Sequence, residues 1–417
     1  MSIITYELTT LRLLRRRNMR MCLYCLLLVL PALALAQSCT IQNGKNLPEA
    51  RQKQFAELLN SGTDTAAVRF DMALDYAKLG NYQMALSTLE EALKDTPWLD
   101  PASEPDFKPL SGCAAFRKVV TRVEARHPVT AASKIAFTVG PRDLIPEGLA
   151  SDPADGSFYL SSIYHRKIVK ITPEGKVSHF VAEGQDGLLG VLGIKVDPRD
   201  RSVWAASQRA GESALFHFNT SGKLLAKYAP QEAGKHLFND LVVTPQGDVF
   251  ITDSEDASVY KLPAGPGKLV RYSLGNRYYP NGIALSSDGK TAFVAHAFGI
   301  ARMDLNDGSL VELQAAPGIS TAQVDGLYFL NNSLIAIQNG FGPNRIVRLQ
   351  LAPDGKSVLS GKLLEFRSPN LELPTTGAIL NGRFYYIVNA QFDHEQDGKL
   401  KDEDQLKPVK IAVLPLQ

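Results

Sequence analysis

The chain has 417 residues, 45% of them hydrophobic and 21% charged, with a formal charge of +2. That length and balance belong to a folded globular protein and exclude a disordered or low-complexity chain. The near-even charge provides no electrostatic footprint for nucleic acid, so none is expected as a partner.

Arg12, Arg15, Arg16, Arg17 and Arg20 precede the apolar run Cys22 to Leu35, and Ala34-Leu35-Ala36 stands before Gln37. This basic, apolar, small-x-small order reads as a cleavable export signal over residues 1–36 and predicts a periplasmic or secreted protein. The apolar run falls short of the ~20 residues a spanning helix needs, so no membrane span is expected after cleavage. Without this segment, 40 basic residues face 42 acidic ones. Cys39 and Cys113 then remain, and two cysteines in an exported chain are expected to pair.

Residues 37–132 are assigned to a helical module. Apolar residues at 3.6-type spacing run through Phe55, Leu58, Leu59, Val68, Met72, Ala73, Tyr76 and Ala77. The segment Ala67 to Pro97 resembles one tetratricopeptide repeat, with Gly80, Tyr82, Ala85, Ala92 and Pro97 at that repeat's marked positions. It implies two helices joined by Leu79-Gly80-Asn81. A single copy is too little for a solenoid, so the module is expected to pack on the main domain.

From 133 to 417 the pattern changes to short β runs separated by Gly, Pro, Asn and Asp. GLASDPADGSFYLSS, GIKVDPRDRSVWAAS, DLVVTPQGDVFITDS, GIALSSDGKTAFVAH, GLYFLNNSLIAIQNG and GAILNGRFYYIVNA align as six hairpins at a period of 42 to 51 residues. The fold class this predicts is mainly β, a six-bladed β-propeller of four-stranded blades preceded by the small helical module. Third strands are expected at 166–171, 215–218, 269–273, 300–305, 345–351 and 409–414. The last blade runs out of chain, so Lys134 to Gly140 is expected to supply its outer strand and close the ring.

The repeat makes one position comparable in every blade, the residue just before the first apolar strand. It reads Glu147, Leu192, Asn239, Asn281, Asp325 and Thr376. First strands of propeller blades line the channel, so these residues form a ring around one mouth. Two carboxylates and two amides at Glu147, Asn239, Asn281 and Asp325 suit a hard divalent cation, Ca²⁺ first and Mg²⁺ or Mn²⁺ as alternatives. The ring has no imidazole or sulfur, which disfavours zinc. The second strands return to the same mouth and end at Ser162, Ser207, Asp253, His296, Asn339 and Asn389.

The motifs Pro146-Glu147-Gly148-Leu149, Asn239-Asp240-Leu241, Pro280-Asn281-Gly282-Ile283-Ala284 and Asp325-Gly326-Leu327 make this region resemble the regucalcin/gluconolactonase family. The resemblance covers roughly residues 133–417. It implies that Glu147, Asn281 and Asp325 bind a divalent metal and that Asn239 is a metal or substrate ligand. It also implies a small-molecule lactone or ester substrate. No nucleophile motif is present, so the expected chemistry is metal-assisted hydrolysis, with Asp325, His296 or Asp253 as general base. One position departs from the family. Leu237 stands where sugar-lactone hydrolases carry an arginine, and Phe238, Tyr278, Tyr279, Phe298 and Phe341 nearby suggest a less polar ligand. A second reading is a non-catalytic propeller whose metal is structural and whose mouth or helical module binds a partner.

Overall fold

The computed structural model describes residues 43–416 apart from 95, 97, 127, 128 and 397. The export signal, Cys39 and Pro97 therefore lie outside the described residues; Cys113 is disulfide-bonded. Among the described residues no helix is long and apolar enough to cross a membrane.

Four helices come first: α1 (Glu49–Leu59), α2 (Thr65–Lys78), α3 (Tyr82–Ala92) and α4 (Ala114–Glu124). Asp64 caps α2 by accepting from Ala67 N, and Asn81 caps α3 by accepting from Met84 N. Each cap satisfies a backbone donor that a helix start leaves orphaned. Between α2 and α3, Gly80 takes φ +71°, the left-handed conformation that ends a helix without Cβ strain. The expected two-helix hairpin is thus present, and its tetratricopeptide character stays a likeness of sequence.

Six sheets follow. Blade 1 runs Leu149–Ser151, Phe158–Ser162, Lys167–Ile171, Val177–Val181, from inner to outer strand. Blade 2 runs Gly190–Val196, Val203–Arg209, Glu212–Phe218, Leu224–Tyr228. Blade 3 comprises Phe238–Val243, Val249–Asp253, Ser258–Leu262 and Val270–Ser273, and blade 4 comprises Ile283–Leu285, Thr291–His296, Gly299–Asp304 and Leu310–Glu312. Blade 5 has Val324–Leu330, Ser333–Gln338, Arg345–Leu351 and Ser357–Phe366, and Thr130–Ala131 pairs along its edge. Blade 6 combines Gly377–Leu380, Arg383–Ile387 and Val409–Pro415 with Lys134–Val139 as the outer strand.

Inner strands touch in sequence from blade 1 to blade 6 and back to blade 1, so the ring is closed. The closure uses the early strand 134–139 as expected. It joins the two ends of the chain's β region and removes a free sheet edge. In blade 3 the expected third strand was displaced: Leu269 to Ser273 falls at the outer strand, and Ser258–Leu262 is third. Glu255 to Ala257 form a short turn after the second strand, while the longer Pro/Gly-rich stretch 263–268 sits one strand later.

The helices dock where inner strands begin and second strands end. Phe298, Ala322 and Phe341 share one buried apolar cluster with Phe70, Leu74, Phe107 and Phe116. The rings of Phe70 and Phe341 lie 5.2 Å apart. Polar clasps surround this contact: Asp64 N donates to Phe298 O at 2.8 Å and Thr321 N donates to Asp64 Oδ2 at 3.0 Å. Arg345, fully buried, donates to Trp98 O at 3.0 Å. The module therefore walls the mouth above blades 4 and 5.

Candidate metal centre at the propeller mouth

The ring is narrow because its second position is glycine in most blades. A Cβ at Gly148 would come within 3.0 Å of Leu192 O, and at Gly193 of Asn239 O. The same holds at Gly282 for Asp325 O and at Gly326 for Thr375 O. Real Cβ atoms do not approach backbone so closely, so only glycine lets neighbouring inner strands converge this tightly. The ring residues are drawn toward the channel as a consequence.

Four of them keep oxygen donors there. Glu147 is 4% exposed, Asn239 4% and Asp325 8%, and Asn281 is half-buried. Glu147 Oε2, Asn239 Oδ1 and Asn281 Oδ1 are buried and have no hydrogen-bond partner. The amide orientation at Asn239 is fixed by its surroundings. Ser254 Oγ donates to Pro280 O at 2.6 Å and accepts from Asn239 Nδ2 at 3.1 Å, which leaves Oδ1 free. Asp325 Oδ2 accepts from Asn339 Nδ2 at 2.5 Å. Buried polar atoms are normally paired, and three orphan oxygens at equivalent positions of three blades are an unsatisfied acceptor set. That set fits a hard cation with oxygen ligands.

Electrostatics point the same way. Burial pushes the Glu147 carboxyl well above its usual value; Asp325 and Asp240 push it further, against Lys195. Burial likewise pushes Asp325 up to about 7, with Asn339 and Asn281 opposing and Asp240 adding to the rise. A nearby cation is what such carboxylates need in order to ionise. The two ring positions without a donor have other work: Leu192 is buried apolar, and Thr376 Oγ1 donates to Glu147 O at 2.5 Å.

Of the returning strand ends, Asn339 alone is bonded to a ring carboxylate among the described residues. Ser162 Oγ donates to Leu144 O, Ser207 Oγ accepts from Leu189 N at 2.9 Å, and Asn389 Oδ1 accepts from Lys410 N at 2.8 Å. His296 is buried with both ring nitrogens engaged. Phe298 N donates to Nδ1 at 3.4 Å, which leaves Nε2 to donate to Glu312 Oε1 at 2.8 Å on the outer strand of its blade. Asp253 is fully buried beside His236, with Nδ1 to Oδ2 at 2.7 Å, and it accepts from Leu237 N at 2.9 Å. Neither His296 nor Asp253 is brought to the four oxygens by any hydrogen bond; Asp325 is itself one of the ring.

His236, Asp253 and Asp256 form the one group of three ligand-type side chains whose atoms lie within 4.8 Å of one another among the described residues. Its donors are already spent. His236 Nε2 donates to Glu232 O at 3.1 Å, and Asp256 holds Arg271 and Ser258. Four of the five aromatics expected to shape a ligand site are also committed elsewhere. Phe298, Phe341 and Tyr278 pack under the helices, and Phe238 packs on Tyr260 between blades 2 and 3.

Three residues that the hairpin pattern alone does not single out, Asp240, Lys195 and Tyr328, stand by the ring. Asp240, 1% exposed, has Oδ2 unpaired. Lys195 Nζ donates to Asp240 Oδ1 at 2.9 Å. The Tyr328 hydroxyl accepts from Gly377 N at 2.5 Å, and burial, Asp240, Glu147 and Asp325 together push it far up. The signal for Asp240 is in the repeat, since it occupies the position that is glycine in the other five blades.

Residues 145–327 match the family model described as SMP-30/Gluconolactonase/LRE-like region. That span holds all four oxygen-bearing ring positions. The chain is a six-bladed β-propeller that carries an SMP-30/gluconolactonase/LRE-like region across its first blades. Among solved structures it is similar to a gluconolactonase of Xanthomonas campestris, at 16% identity over 70% of this chain and 93% of that one, TM-score 0.47. It is similar to the calcium-binding protein regucalcin of Agrobacterium tumefaciens, at 18% identity over 67% and 95%, TM-score 0.47. Virginiamycin B lyase of Staphylococcus aureus aligns at 18% identity over 60% and 79%, TM-score 0.46. No curated protein matches the chain.

Proposed function

We propose that this protein is an exported hydrolase of lactones or related esters that depends on a divalent cation, with Ca²⁺ as the first choice. The observation that carries the reading is the set of orphan oxygens on Glu147, Asn239 and Asn281 beside Asp325. These four residues would hold the ion. When bound, it supplies a Lewis acid for the substrate carbonyl and charge for the oxyanion that develops there.

The chain's own residues do the rest. Asp325, held at one oxygen by Asn339, serves as the base that takes a proton from water. Asn239 is kept in one orientation by Ser254, so its carbonyl oxygen faces the mouth without rearrangement. His296 and Asp253 serve to fix the rim, through Glu312 and His236, rather than to move protons. Leu237 offers no charge for a polyhydroxylated ligand, which favours a lactone less polar than an aldonolactone.

The test is a broad lactone and ester panel with the chelated protein, with Ca²⁺ restored, and with Asp325→Ala. The expected result is turnover that requires the ion and falls at least ~100-fold in the variant. A panel with no metal-dependent turnover would leave the non-catalytic propeller as the better reading.

A further inference from the structure

Asp240 breaks the glycine pattern of the ring, and the structure accommodates it with a dedicated partner. Thr252 Oγ1 accepts from Asp240 N at 3.1 Å and donates to Asn281 O at 2.7 Å, bridging blade 3 to blade 4. The carboxylate itself reaches the other way, toward blade 2. Its Oδ1 accepts from Lys195 Nζ at 2.9 Å and from Leu241 N at 2.8 Å, while Oδ2 is buried and unpaired. Lys195 lies three residues beyond Leu192 on the inner strand of blade 2, so its stem rises from below the ring. Its side chain is 22% exposed, and its ammonium lies 5.7 Å from the centre of the Tyr328 ring.

The channel mouth therefore gathers three carboxylates, Glu147, Asp240 and Asp325, and one ammonium. We propose that Lys195 is a resident counter-ion of the metal ring, which balances Asp240 and leaves the remaining charge deficit matched to one divalent cation. Lys195 is a positioning and charge-setting residue; it sits beneath the ion's ligands and is not given a substrate contact. This inference rests on the metal reading of the ring, and it adds that the ring's charge selectivity is set one layer deeper by a lysine. Coulomb repulsion scales with the charge of the incoming ion. Removing the ammonium should therefore tighten Ca²⁺ and tighten a trivalent ion more.

The experiment is calorimetric titration of the full chain with Ca²⁺ and with La³⁺. The proteins compared are wild type, Lys195→Met, Lys195→Arg, Asp240→Asn and the double variant Asp240→Asn/Lys195→Met. Lys195→Met should tighten Ca²⁺ by ~10-fold and La³⁺ by ~30-fold, following the ratio of ion charges. Lys195→Arg should stay close to wild type, and the double variant should return toward it. A second readout is melting in chelator. Lys195→Met should melt lower than wild type, because it leaves Asp240 buried and uncompensated; the double variant should recover that loss. If Lys195→Met does not fold, comparing Asp240→Asn with the double variant asks the same question, and the loss of lysine should again tighten Ca²⁺. The proposal is overturned if wild type binds Ca²⁺ and loss of Lys195 leaves the affinity unchanged or weaker. Wild type that binds neither ion overturns the metal reading itself, and the role of Lys195 with it.

Discussion

Replacing Glu147 with Gln is the perturbation whose outcome the ring electrostatics specify most fully. In the metal-free protein this carboxylate is buried, has one oxygen without a partner, and is repelled by Asp325 and Asp240. Its raised proton affinity means that the folded state holds a proton the unfolded state has released. The metal-free protein must therefore lose stability as pH climbs above the usual glutamate value of 4.5. Gln keeps the shape and removes the charge. An unsatisfied buried polar group costs about 1–3 kcal/mol, and a chain of this size shifts by roughly 2 °C per kcal/mol. Glu147→Gln should therefore melt ~2–6 °C higher than wild type in chelator at pH 7.5. At pH 5 that gap should narrow. Calcium reverses the order: at ~100 times its Kd an ion adds about 2.7 kcal/mol to the wild type, and the variant should gain much less. The assay is calorimetric melting of both proteins in chelator and in CaCl₂ at the two pH values. A variant that melts below wild type in chelator, yet gains as much from Ca²⁺, refutes the reasoning.

Gly282→Ala places a methyl against Asp325 O, closer than real Cβ atoms come. It should weaken Ca²⁺ binding at least ~10-fold by pushing Asp325 out of the ring, which titration of the two proteins measures. His296→Gln should keep turnover within a few-fold, because the imidazole serves Glu312 and the backbone; it should cost about 1–3 kcal/mol in urea unfolding. Burial pushes the His236 imidazole down, but hydrogen bonds to Asp253 and Glu232 O outweigh burial and hold it above its usual 6.5. The stability this pair contributes is full below that value and is lost as pH rises through the raised one. Urea midpoints between pH 6 and pH 9 should therefore fall more steeply for wild type than for His236→Gln.

The six blades and their closure were legible because each hairpin repeats the same order of apolar strand, turn and apolar strand. Glu147, Asn239, Asn281 and Asp325 could be named from that register alone, since a repeat assigns equivalent places. In blade 3 the local pattern is ambiguous. Ser258–Leu262 and Val270–Ser273 are both strand-like, and only the short turn at 255–257 decides which follows the second strand. The hidden parts of the site depend on contacts between blades. Lys195 and Asp240 lie 45 positions apart. The direction of His296 is set by Glu312 on the outer strand, and nothing beside His296 in sequence records it. Phe298 and Phe341 looked like ligand contacts because they follow mouth residues; the helices take them up as an apolar docking face. Local pattern fixes which residues reach the mouth, and long-range packing decides which remain free there.

A diffraction experiment on crystals grown with Ca²⁺ tests the central claim most directly. The account predicts one ion at the mouth, in contact with Glu147 Oε2, Asn239 Oδ1, Asn281 Oδ1 and a carboxylate oxygen of Asp325. Water alone among those oxygens, or an ion bound instead at His236, Asp253 and Asp256, would contradict it.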